Sequence, residues 1–93
     1  MGVAVRYARS ALRDIDGIHR HIVAENPAAA ERVRKSILRT IDMLRDFPFL
    51  GKPGRRSGTR EMTVPKLPYL IVYRAGENQI AVLRVYHGAQ KRA

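Results

Sequence analysis

The stretch ENPAAAE, residues 25–31, is the feature that most narrows what this chain can become. Asn26 is a good helix N-cap, and Pro27 suits the first helical turn, where its missing N–H is not needed. On either side, apolar residues recur at helical spacing. Before the link come Leu12, Ile15, Ile18 or His19, and Ile22; after it come Ala30, Val33, Ile37, Ile41 and Leu44. Two helices joined by so short a link pack as an antiparallel hairpin. The spacing predicts a first helix from about Ala11 to Glu25, capped by Ser10. It predicts a second ending near Phe47, because Pro48 disfavours helix in the residue before it. Gly17 inside the first helix costs about 1 kcal/mol against alanine, which suggests that something packs closely there.

Around this hairpin the period changes from helical to alternating. Residues 3–7 (VAVRY), 59–64 (TREMTV), 68–75 (PYLIVYRA) and 79–87 (QIAVLRVYH) read as strands. AGEN, residues 75–78, reads as a hairpin turn, and PKLP, residues 65–68, as another, since proline cannot sit inside a sheet. Residues 48–58, PFLGKPGRRSG, are rich in Gly, Pro and charge and read as a loop. The expected order is β-α-α-β-β-β, an α+β fold with an N-terminal helical hairpin on a mostly antiparallel sheet. Its 93 residues make one domain, 1–93.

Composition removes several functions. There is no cysteine, so disulfides, thiolate zinc sites and a cysteine nucleophile are excluded. No secretory signal and no apolar run of membrane-spanning length is visible, which fits a cytoplasmic protein without a membrane partner. His19 and His21 point different ways on a helix and His87 stands apart, so no metal site and no cofactor is expected. Charge is the strong signal: 18 Lys and Arg against 8 Asp and Glu, a formal +10. Residues 51–93 hold nine basic residues and only Glu61 and Glu77 as acids. A field this positive attracts nucleic acid, anionic membranes or an acidic protein partner.

The strands order some of these charges. On the fourth strand, alternation groups Ala81, Leu83 and Val85 on one face, expected to lie under the helices. Ile80, Val82, Arg84 and Tyr86 fall on the other, expected to be open. Arg74 on the neighbouring strand would make that open face basic. Arg60 shares a side with Met62 and Val64, and alternation alone does not fix its face. RNA cleavage without metal needs an acid, a base and cationic groups around phosphorus. His87 or Tyr86 could move protons and Arg84 could hold phosphate. On the chemistry of the residues alone a structural reading is favoured over this one: Tyr86 packs, Arg84 pairs with Glu61, and His87 closes a strand end.

The segment GTREMTVPKLPYLIVYRAGENQIAVLRVYHGAQKR, after two amphipathic helices and a Pro-Gly loop, resembles the ParE branch of the RelE/ParE toxins of bacterial type II toxin–antitoxin modules. GTRE, PYLIVYR and VLRVYHGA carry the likeness, which spans nearly the whole chain. The resemblance implies a cytoplasmic toxin held by an acidic, ParD-like antitoxin in a hetero-oligomer, touching operator DNA only through that antitoxin. ParE-like toxins are associated with DNA gyrase, and RelE-like toxins are ribosome-dependent mRNA endoribonucleases. Relatives of the second kind commonly place an arginine before the LVY of the middle strand; here Leu70 stands there. They also place an arginine shortly after the glycine of the last strand, where this chain has Gln90. His87 falls where some nuclease relatives have a catalytic histidine. The expected function is therefore gyrase inhibition, through a target-facing surface of Arg60, Arg74, Arg84, Tyr86, His87, Lys91 and Arg92. A ribonuclease using His87, Arg84 and Tyr86 is the alternative, and a relative that has lost toxicity is a third reading.

Overall fold

A computed structural model describes residues 2–88. Lys91, Arg92 and Gln90 lie outside the described residues. Strand β1 (Ala4–Tyr7) leads into helix α1 (Arg9–Val23) and helix α2 (Pro27–Asp46). Strands β2 (Lys52–Pro53), β3 (Arg60–Thr63), β4 (Tyr69–Ala75) and β5 (Gln79–His87) follow. The sheet runs β1-β5-β4-β3-β2, with β1 parallel to β5 and every other pair antiparallel. This is the expected α+β arrangement of a helical hairpin on a sheet, with one strand more than expected. The extra strand, β2, lies inside the segment read as loop. Two residues are too few to show a period, and Lys52–Pro53 is recognisable only by its pairing with Glu61 and Arg60.

The helix link behaves as its residues require. Asn26 accepts a hydrogen bond from the Ala29 N–H at 3.0 Å and Pro27 opens α2. Helix α1 starts earlier than expected, at Arg9, with Ala8 at the N-cap and no side-chain cap. Ser10 is inside the helix, and its hydroxyl donates to the Leu83 carbonyl at 2.7 Å. Instead of accepting from a backbone N–H as a cap would, the hydroxyl donates to a distant carbonyl. Around Gly17 no atom lies within 4 Å of where a Cβ would stand, so close packing within this chain does not explain that glycine.

The core lies between the hairpin and one face of the sheet. Ala11 and Ile15 of α1, and Ile37, Ile41 and Leu44 of α2, meet Ile71, Tyr73, Ile80, Val82 and Val85. Each fully buried aliphatic contributes roughly 1.5–3 kcal/mol relative to its exposed state.

The faces of β5 differ from simple alternation. Val72 pairs with Arg84 but Tyr73 pairs with Val82, so Leu83 is an extra residue, a β-bulge. The bulge reverses the alternation. Ile80, Val82 and Val85 all enter the core, at 0, 0 and 3% exposure. Ala81, Leu83 and Val85 therefore do not share the helix-covered face. Arg84 and Tyr86 still point to the open side, because they lie beyond the bulge.

Candidate functional site

Strand β1 reaches only as far as Val82 along the edge of β5. Beyond that point helix α1 takes over the edge. The Ala8 N–H donates to the Val82 carbonyl at 2.9 Å, Ser10 Oγ to Leu83, and the Val85 N–H to Asp14 Oδ2 at 2.9 Å. The same Asp14 carboxylate accepts two bonds from Arg84, Nε at 2.8 Å and Nη2 at 3.1 Å. Arg84 thus pairs with Asp14, not with Glu61. This hydrogen bond raises the Arg84 pKa above its ordinary value, with desolvation opposing it. The guanidinium also stacks 4.7 Å from the centroid of the Tyr86 ring.

Arg84 and Tyr86 form one wall of a cleft of about 260 Å³ on the open face of the sheet. Arg55, Arg56 and Arg74 also line it, together with Thr59, Glu61 and Val72. Glu61, Val72 and Arg84 are cross-strand neighbours in one row. The buried Glu61 carboxylate accepts from the Arg55 N–H at 3.1 Å, and Thr59 Oγ1 donates to the Arg56 carbonyl at 2.7 Å. These bonds fix the 54–59 turn, so that two consecutive arginines stand at the cleft. Gly58 has φ +80, and a Cβ there would sit 2.6 Å from Arg74 Nη1. Arg74 therefore lies against the turn through a contact that only glycine leaves open. Arg84 is balanced by Asp14, and Arg55, Arg56 and Arg74 stand against the single buried carboxylate of Glu61, so the cleft is cationic.

Among the other expected site residues, Arg60 sits on the opposite face, in register with Tyr73. It donates to the Gly51 carbonyl at 2.7 Å and the Phe49 carbonyl at 3.3 Å. His87 also leaves the cleft. Its ring meets Tyr69 edge-on, centroids 5.4 Å apart, in a groove shared with Gly17 and His21 of α1. The three candidate catalytic residues are thus divided: Arg84 and Tyr86 on one face, His87 on the other. Leu70 is buried in register with Tyr86, so the strand position beside that ring carries no charge. Arg55 and Arg56 were missed as cleft residues, although the Gly-flanked basic pair in PGRRSG was a visible signal. Asp14 was missed because its partners lie some seventy positions away. No group of three His, Asp or Glu able to hold a metal occurs among the described residues. No helix among them is long and apolar enough to cross a membrane.

A second, shallower groove of about 520 Å³ runs along the outside of the hairpin. Tyr7, Leu12, Ile15 and Leu38 supply its apolar surface, and Asp16, His19, Glu31 and Arg34 its polar rim. Leu12 is 52% exposed there.

A helical hairpin behind a mixed sheet whose open face carries a cationic cleft defines a small RelE/ParE-like toxin domain. Residues 5–92 match the family described as ParE toxin of type II toxin-antitoxin system, parDE, and the chain belongs to that family. Y4kP of Sinorhizobium fredii, a candidate toxin, is 37% identical over 87 residues, 94% of this chain and 90% of that protein. A chromosomal ParDE toxin–antitoxin structure from P. aeruginosa superposes with a TM-score of 0.82 at 24% identity, over 91% of this chain and 95% of the other. The RelBE2 toxin–antitoxin complex of Mycobacterium tuberculosis superposes at 0.64 and 25% identity, over 94% and 99%.

Proposed function

We propose that this ParE-family toxin acts in the cytoplasm as a non-enzymatic inhibitor of DNA gyrase, gripping its target with the cationic cleft of Arg55, Arg56, Arg74, Arg84 and Tyr86. The division of His87 from Arg84 and Tyr86 carries the reading. A histidine on the far face of the sheet cannot exchange a proton with a phosphodiester held in the cleft. Leu70 weakens the nuclease reading further, because it offers no charge to a developing phosphorane.

The neutralising partner is an acidic, ParD-like antitoxin. Its amphipathic segment lies along the hairpin groove, covering Leu12, Leu38 and Tyr7 and meeting Arg34 at the rim. Operator DNA is reached only through that antitoxin. Expression of the toxin alone should produce DNA cleavage complexes and an SOS response while mRNA stays intact. Rapid fragmentation of translated mRNA would overturn the assignment.

One observation favours a second reading. Glu61 and Tyr86 share the cleft with four arginines, so a proton acceptor and a proton donor stand on the cationic face without His87. A ribosome-dependent endoribonuclease built this way would lose mRNA cleavage in Tyr86→Phe. Gyrase supercoiling and translation assays run side by side separate the two.

A further inference from the structure

Neither the cleft nor the hairpin groove uses the apolar surface where α2 runs into β2. Phe47, Phe49 and Leu50 are 61, 64 and 50% exposed, and Met43, one turn earlier, is 37% exposed. Scattered exposed apolar residues are ordinary, but three large ones within four positions of one turn are the kind of cluster that marks a contact surface. The backbone beneath them is held from inside. Tyr73, fully buried, donates from its hydroxyl to the Pro48 carbonyl at 2.8 Å and accepts from the Gly51 N–H at 2.9 Å. Arg60 binds the Phe49 and Gly51 carbonyls and places its guanidinium 4.9 Å from the Phe49 ring centroid. A Cβ on Gly51 would lie 2.7 Å from the Tyr73 hydroxyl, so the turn closes onto that tyrosine. A buried tyrosine and an arginine are thus committed to fixing a turn whose large side chains face solvent. Such anchors lose little freedom on binding, which is what makes aromatic hot spots effective.

The surroundings narrow the occupant. Strand addition is disfavoured, because the adjoining edge is Lys52–Pro53, a charge followed by a residue without an N–H. A second copy is disfavoured by a net charge of +10 on each chain. Arg45, Lys52 and Arg60 flank the apolar residues, against Asp46 and the Arg45-bonded Asp42. The platform lies on the Arg60 side of the sheet and the cleft on the Glu61 side; Lys52, in register with Glu61 on the edge strand, joins them through the chain to Arg55 and Arg56, so an occupant of both wraps the β2 edge.

We propose that Phe47, Phe49 and Leu50 anchor an acidic, amphipathic segment of the protein that the toxin inhibits, extending the target surface beyond the cleft. This rests on the reading of the cleft as the target side. The test compares wild type, Phe49→Ser/Leu50→Ser and Phe49→Leu, each with a melting curve, for growth arrest at equal expression and for affinity to the cognate antitoxin. The double variant should need about thirtyfold more toxin for the same arrest, the scale of losing one hot spot. It should bind the antitoxin within about threefold of wild type, a difference under 1 kcal/mol. Phe49→Leu removes the cation–π contact but keeps an apolar side chain, and its arrest should fall between wild type and the double variant. Undiminished arrest by the double variant overturns the proposal. A parallel loss of antitoxin affinity gives the platform to the antitoxin, and wild-type self-association abolished by the double variant gives it to a second copy; either overturns it. A wild-type chain that leaves growth unaffected removes the cleft reading and this proposal together, a result visible in the wild-type arm alone.

Discussion

Asp14 and Arg84 close the edge of the sheet: one carboxylate takes two bonds from the guanidinium and a third from the Val85 N–H. The pair fixes a cleft arginine and repairs a strand edge at once. Asp14→Ala should destabilise the fold by about 2 kcal/mol, chiefly because the Val85 donor loses its acceptor. Asp14→Asn should cost less, since the amide oxygen still accepts from Val85. Urea unfolding midpoints of the three proteins check the order; equal midpoints would show that the edge bond contributes nothing.

Two glycines should respond oppositely to alanine. At Gly17 nothing stands within 4 Å of the added methyl, and Gly17→Ala should stabilise by about 1 kcal/mol through helix propensity. At Gly51 the methyl would meet the Tyr73 hydroxyl at 2.7 Å and the Glu61 carbonyl oxygen at 2.8 Å. Gly51→Ala should destabilise by about 1–3 kcal/mol, as overpacking does. Thermal melts of both variants test the contrast.

Burial raises the pKa of Tyr73 above its ordinary 10.0, although the Gly51 bond and Arg60 pull it down. A pKa raised by folding gives stability that is complete below pH 10 and lost as pH climbs through the folded-state value. The melting temperature should therefore fall on the alkaline side of about pH 10, the unfolded tyrosine value. Burial also raises Tyr7 and Tyr69, so Tyr73→Phe should be less stable at neutral pH and show a shallower, not absent, alkaline decline. An unchanged slope would remove Tyr73 from this account.

His87→Ala should leave growth arrest intact, because the side chain faces α1 and not the cleft. Arg74→Glu reverses charge at an exposed cleft position and should weaken the arrest without lowering the melting temperature. Dilution plating of induced cells reads both. If His87→Ala abolishes toxicity while the protein still folds, the assignment of faces to functions is wrong.

These outcomes also mark where sequence pattern was sufficient. Asn26 and Pro27 announce α2 because capping and the first helical turn are local events. The strands around Ile71 and Ile80 announce themselves by alternation. Leu83 could not be read as a bulge, since one inserted residue leaves VLRVYH looking like uninterrupted alternation. Ser10 looked like a cap because its true acceptor, Leu83, is distant in sequence. The cleft was half visible: Arg74, Arg84 and Tyr86 follow from strand parity, but Arg55 and Arg56 join them only through the Thr59 and Glu61 bonds that shape their turn. Arg60 has the same charge as the others and lies in register with Tyr73 on the opposite face.

The pairing of β1 with β5 has a consequence for synthesis. Ala4 finds its partner only at Gln79, and Asp14 of α1 meets Arg84 only 70 residues further along the chain. Contacts this distant in sequence close late. A nascent chain that has not yet made β5 has neither a bonded edge for β1 nor the Arg84 and Tyr86 wall of the cleft.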